Sequence, residues 1–117
     1  MTKILVIDDE EYIRKLYTEF LSREGYDVEA AGSYRESQKL MSKQKYDLVI
    51  LDIELGDASG LDVLKKIKNE YPDLSVILNT SYSIYKDDFH TWLADGYVVK
   101  SSDLEALKNK IEQLVEA

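Results

Sequence analysis

Short apolar runs alternate along the chain with longer stretches in which apolar positions recur every three or four residues. The runs are KILVI (3–7), YDVEAA (26–31), DLVIL (47–51), LSVILN (74–79) and GYVV (96–99). A short, nearly unbroken apolar run bounded by polar residues reads as a strand covered on both faces. YDVEAA is the weakest of the five, because acids interrupt it.

The intervening stretches carry helical spacing. Ile13, Leu16, Tyr17, Phe20 and Leu21 share one face, and Gly25 suits the C-terminal cap. Ser33 with Glu36 forms a capping-box pattern that predicts a helix over 34–44. Leu61, Leu64 and Ile67 mark the next helix, stopped by Pro72. A less regular pattern over 83–94 uses Ile84, Phe89 and Leu93. SDLE (102–105) repeats the capping-box pattern, and Leu104, Leu107, Ile111 and Leu114 give the last helix its apolar face.

This βα alternation predicts an α/β domain, an open doubly wound five-stranded parallel sheet with helices on both faces. Right-handed crossovers leave few topologies, and the flavodoxin-like (βα)5 order 2-1-3-4-5 is the expected one. No linker, repeat or low-complexity tract divides the 117 residues, so 1–117 reads as one domain.

Composition narrows the function. Fifteen basic against 23 acidic residues give a net charge of −8, which argues against direct nucleic-acid binding. The acidic balance suits a divalent cation or a basic partner. The basic cluster LKKIK (64–68) reads as the solvated face of a helix. There is no cysteine, hence no thiolate metal site or thiol nucleophile. No apolar run approaches the roughly 20 residues that span a bilayer, and the N-terminus does not read as a secretory signal. A cytoplasmic location is the expectation, with no membrane partner.

In sheets of this kind ligands bind beyond the carboxyl ends of the strands, near the switch point between strands one and three. Strand one ends in Asp8, Asp9 and Glu10, strand three in Asp52, strand four in Asn79, Thr80 and Ser81, and strand five in Lys100, Ser101 and Ser102. A single strand-end acid is equally compatible with a helix N-cap, and Asp9, Ser33 and Ser102 each suit that position. Clustered carboxylates are another matter. They repel one another unless a cation compensates. Oxygen-only ligands favour a hard cation such as Mg2+. A lysine and a hydroxyl beside them suit phosphoryl oxygens. Asp52 is central to the set, and a carboxylate can act as a nucleophile that becomes an aspartyl phosphate.

The segments VIDDE (6–10), LVILDIELGDASGLDVL (48–64), ILNTS (77–81) and GYVVKS (96–101), in this order, make the whole chain resemble a receiver domain of the two-component response regulators, of the single-domain chemotaxis or phosphorelay type. The resemblance implies that Asp52 is the phosphoacceptor, charged by a histidine kinase or a histidine phosphotransfer protein. It implies that Asp9 binds Mg2+ directly, that Asp8 does so through water, and that Glu54 contributes its backbone carbonyl. It implies that Thr80 and Lys100 engage the phosphoryl group and that Tyr97 is the aromatic switch residue. The switching face would combine the fourth predicted helix, the fifth strand and the last helix, and would also be the place for a homodimer. The chain would not be an enzyme beyond self-phosphorylation and slow autodephosphorylation.

Several residues depart from the family pattern. Gly56 stands where proline is usual, and Ser101 follows Lys100 where proline usually makes a cis bond. Glu54 and Tyr82 occupy the variable positions that, by the resemblance, tune dephosphorylation. The stretch from Thr80 to Lys100 is short, and Tyr82, Tyr85, Phe89 and Trp92 form an aromatic-rich surface suited to a partner or to local packing. His90, the only histidine, reads as a surface residue. Two other readings compete: a pseudo-receiver that binds without phosphorylation, and a Mg2+-dependent phosphohydrolase with an Asp nucleophile. The first is opposed by the presence of Asp9, Asp52, Thr80 and Lys100 together. The second expects an Asp where Glu54 stands. A flavin-nucleotide protein is opposed by the acids after strand one, which would repel a phosphate.

Overall fold

The computed structural model describes residues 1–81, 93–101 and 103–115. Five strands, β1 (Lys3–Ile7), β2 (Asp27–Ala31), β3 (Leu48–Leu51), β4 (Ser75–Thr80) and β5 (Gly96–Val99), form one parallel sheet in the order β2-β1-β3-β4-β5. The helices are α1 (Glu11–Arg23), α2 (Tyr34–Lys43), α3 (Gly60–Glu70) and α4 (Glu105–Val115). The predicted architecture and strand order are those observed. The helix predicted over 83–94, with Tyr82, the aromatic surface and His90, lies outside the described residues apart from Leu93 and Ala94.

The sheet is buried on both faces because β3 is apolar at every position and β1 and β4 carry unbroken apolar runs, residues 4–7 and 76–78. Leu5, Ile7, Val49, Leu51, Val76 and Leu78 face one core, closed by Val63, Leu64 and Ile67 of α3 and flanked by Leu40 and Met41 of α2. Ile4, Val6, Leu48, Ile50, Ile77 and Val98 face the other, closed by Tyr17 and Leu21 of α1 and Leu107 and Ile111 of α4. Successive strand residues point to opposite faces, so one run supplies both cores. Among the described residues, no helix is long and apolar enough to cross a membrane.

Helix ends follow local chemistry, with three differences from expectation. Gly25 ends α1 at a φ of 95°, a left-handed value that glycine adopts without steric cost. Ser33 caps α2, its Oγ accepting from the Glu36 N–H at 3.1 Å, but the Glu36 carboxylate reaches the Gly32 N–H rather than that of Ser33. The last helix starts at Glu105, later than a Ser102 cap would set it; Asp103 Oδ1 accepts the Glu105 N–H at 3.0 Å. Ser102 itself lies outside the described residues. Asp9 is not a cap either, since Glu10 holds that position before α1.

Candidate functional site

Strand register assembles the site. Ile7 pairs with Leu51, and Leu51 with Leu78. Asp8 and Asp52 are each one step beyond these positions, so the sheet delivers them side by side. Their backbones remain tied to it: Asp8 N–H donates to the Ala31 carbonyl at 3.1 Å and Asp52 N–H to that of Ile7 at 2.9 Å. Lys100 arrives from beyond β5, its N–H donating to the Thr80 carbonyl at 2.6 Å.

The Lys100 ammonium is the hub. It lies 2.8 Å from Asp8 Oδ2, 3.2 Å from Glu10 Oε1 and 3.2 Å from Asp52 Oδ2. The Asp8, Asp52 and Lys100 side chains are all buried, whereas Glu10 is 57% exposed and closes the cluster from the solvent side. Carboxylate oxygens of Asp8, Glu10 and Asp52 lie within 4.8 Å of one another. The second oxygens are used as well. Asp8 Oδ1 accepts the Glu10 N–H at 2.9 Å, and Asp52 Oδ1 accepts the Glu54 N–H at 3.1 Å. Arg14 Nη1 donates to the Asp8 carbonyl at 2.8 Å.

Three carboxylates against one ammonium leave an excess of negative charge. Burial first, and then the neighbouring Asp8 charge, push the Asp52 carboxyl up to about 6, despite Lys100 and the Glu54 N–H. Burial likewise raises that of Asp8, against its bond to Lys100. For Lys100, burial opposes the charge, but the bond to Asp8 and the charges of Asp8 and Asp52 outweigh it and hold the ammonium above its ordinary range. Asp52 is therefore mostly ionised at neutral pH, and Lys100 fully so.

The other predicted residues sit around this hub. Thr80 is buried at the end of β4. Tyr97 is half-buried in β5, paired with Leu78, so Thr80, two residues on, shares its sheet face. Glu54 is exposed just past β3. Asp9 is exposed and stands outside the three-carboxylate cluster, its Oδ2 3.7 Å from where a Cβ on Gly56 would lie. No described peptide bond is cis, so Lys100 and Ser101 are joined in trans.

Sequence reasoning missed four contributors. Glu10 was visible only as one more acid after β1. Tyr17 and Asn79 form a buried pair beneath the site, Asn79 Nδ2 donating to the Tyr17 hydroxyl; Asn79 Oδ1 has no partner among the described residues. A hydroxyl-bearing tyrosine on an otherwise wholly apolar helix stripe was the available signal. Asp57 was the fourth. Its Oδ1 accepts the Tyr34 N–H at 3.1 Å and its Oδ2 the Arg35 N–H at 3.3 Å, and these bonds, led by that from Tyr34, hold its carboxyl below the usual carboxylate range.

A family model described as the response regulator receiver domain matches residues 4–112. The chain belongs to the response regulator receiver family. The receiver is 33% identical over 114 residues to the probable transcriptional regulatory protein TcrX of Mycobacterium tuberculosis, covering 96% of this chain and 49% of TcrX. It is 35% identical over 109 residues to the alginate biosynthesis transcriptional regulatory protein AlgB of Pseudomonas syringae, covering 91% of this chain and 24% of AlgB. It thus spans about half the length of the first of these curated relatives and about a quarter of the second. Among solved structures, the receiver matches the response regulator TrrA of Thermotoga maritima in complex with Mg2+-BeF, with 46% identity, a TM-score of 0.93, and 97% of this chain and 99% of that one covered. It also matches TrrA in complex with the histidine kinase ThkA, with 45% identity, a TM-score of 0.92, and 98% and 99% coverage.

Proposed function

We propose that this receiver is a phosphorylation-controlled switch in which Asp52 accepts a phosphoryl group from the phosphohistidine of a histidine kinase or histidine phosphotransfer protein. One observation carries the reading: Asp52 is a buried, largely ionised carboxylate whose two oxygens are oriented by Lys100 and by the Glu54 N–H. Such a carboxylate is a positioned nucleophile.

The cluster fits a hard divalent cation. Its donors are all oxygen, three carboxylates converge, and their charge exceeds that of Lys100. The converging carboxylates of Asp8, Glu10 and Asp52 would face the ion, and by the family resemblance Asp9, from outside that cluster, and the Glu54 carbonyl would join Asp52 in holding it, with Asp8 acting through water. When bound, the ion would neutralise charge on the phosphoryl oxygens.

An Asp52 carboxylate oxygen forms the new O–P bond as the P–N bond of the donor breaks. The imidazole nitrogen leaves with the electron pair. Lys100, released from one carboxylate partner, pairs with a phosphoryl oxygen, and the Thr80 hydroxyl donates to another. Thr80 and Tyr97 share one sheet face, which lets a movement of the first alter the packing of the second. That coupling would remodel the surface around β5 for a downstream target. The chain's own chemistry is then limited to self-phosphorylation and slow loss of the phosphoryl group. The complex of TrrA with a histidine kinase supports a kinase as partner.

Incubation with acetyl phosphate and Mg2+, followed by intact-mass measurement, tests this. One phosphoryl adduct is expected on the wild type and none on Asp52→Asn. A wild type that stays unmodified under saturating donor would instead mark an interaction module that works without phosphorylation.

A further inference from the structure

The loop from Asp52 to Ser59 carries the proposed acceptor and, two residues on, Glu54. Its base is closed: the Gly60 N–H donates to the Ile53 carbonyl at 2.6 Å, and Glu54 and Ser59 form an antiparallel bridge. Leu55 is buried. The tip, Gly56 and Asp57, is exposed. Gly56 does not use the left-handed region, since Gly25 is the only described residue with positive φ. Its freedom therefore brings an entropy cost on ordering with no conformational need for it.

Asp57 supplies the missing restraint. Both its oxygens accept from the first turn of α2, from Tyr34 and Arg35, while Ser33 Oγ serves Glu36. These N–H groups have no partner within the helix. A helix that already has its own N-cap residue thus takes a second cap from a distant loop, at charge-assisted bonds that tie loop and helix together.

We propose that Asp57 is a positioning residue for the acceptor site: by anchoring the loop tip to α2 it fixes the Glu54 backbone, whose N–H donates to Asp52 Oδ1 at 3.1 Å. The inference rests on the reading of Asp52 and its neighbours as a Mg2+-dependent acceptor site. It differs from a plain capping role, which would stabilise α2 and leave the loop alone.

The two roles separate in a rescue experiment on the full chain. In an NMR titration with Mg2+ alone, Asp57→Ala is expected to bind about 3- to 10-fold more weakly than wild type, below the roughly 10- to 100-fold of residues that touch a metal ligand directly, because Asp57 acts through the loop and is exposed. Adding Gly56→Pro stiffens the loop without restoring the helix cap, and should return affinity to within about twofold of wild type. Gly56→Ala serves if the proline variant does not fold, since a Cβ there meets only Asp9 Oδ2 at 3.7 Å. Amide exchange at Leu55 and Ala58, measured without metal, should quicken in Asp57→Ala and slow again with the loop substitution, while Tyr34 and Arg35 stay fast. Equal Mg2+ affinity in wild type and Asp57→Ala overturns the proposal. So does a loss that stiffening the loop fails to restore. If the wild type binds no Mg2+, the reading of the site falls, and the metal-free exchange decides the role of Asp57: unchanged rates at Leu55 and Ala58 refute it, and restored ones uphold it.

Discussion

The Lys100 ammonium lies 3.2 Å from Asp52 Oδ2, although 48 residues separate them along the chain. The same nitrogen holds Asp8 and Glu10, so one cation keeps three carboxylates together in a largely buried site. Removing it leaves buried negative charge without compensation. Lys100→Met should destabilise the metal-free protein by about 3 kcal/mol at pH 7.5. Protonation of the carboxylates relieves the repulsion, so the deficit should shrink toward pH 5. Urea unfolding at the two pH values checks this; equal deficits at both would contradict it.

Asp52 itself opposes folding at neutral pH. Its carboxyl titrates near 6 in the folded protein, raised chiefly by burial, against 3.8 for an unperturbed group. The folded state therefore binds this proton more tightly than the unfolded chain does. The stability Asp52 allows is greatest below pH 4 and falls as pH rises through 6. Asp52→Asn keeps the shape and removes the charge, while Lys100 retains Asp8 and Glu10. The variant should be more stable than wild type by about 2 kcal/mol at pH 7.5 without metal. The gain should vanish near pH 4. Denaturant titrations across that range measure it, and a variant less stable than wild type at pH 7.5 would refute the assignment.

Gly60 shows a different constraint, one of space. A Cβ there would stand 2.4 Å from the Asp52 carbonyl oxygen and from the Cα and carbonyl oxygen of Ile53. All three are backbone atoms next to the proposed acceptor, so they cannot swing aside as a side chain would. Gly60→Ala should cost about 3 kcal/mol, near the upper end for overpacking. It should also slow phosphoryl uptake from acetyl phosphate, because it displaces the main chain that carries Asp52. A shift in the urea midpoint reads the first effect and intact-mass kinetics the second. A fully stable variant with normal uptake would mean the loop yields more easily than its packing indicates.

Much of this arrangement was legible in the order of residues. Strands covered on both faces carry unbroken apolar runs, so LVIL and VIL announced themselves, and the polar residues after each run marked the approach to the sheet's edge. The acids at 8–10 and 52, with Thr80 and Lys100, were thereby assigned to one end before any distance was known. Helix caps were less secure. Ser33 performs as its pattern predicts, but α4 begins at Glu105, where Asp103 offers a competing acceptor to the helix start.

The sequence by itself determined which residues could share the ligand edge, because strand burial and βα alternation depend on local pattern. Only the tertiary structure decided how they are used. Past the end of β1 the regular alternation of side chains stops, so no periodicity could tell that Asp8 and Glu10 turn toward Lys100 while Asp9 stays outside. Nor could any local rule join Asp57 to α2 across 23 residues, or Lys100 to Glu10 across 90. Those contacts exist because the folded sheet brings segments that are distant along the chain to the same edge, where Lys100 meets Glu10 and the loop after β3 meets the start of α2.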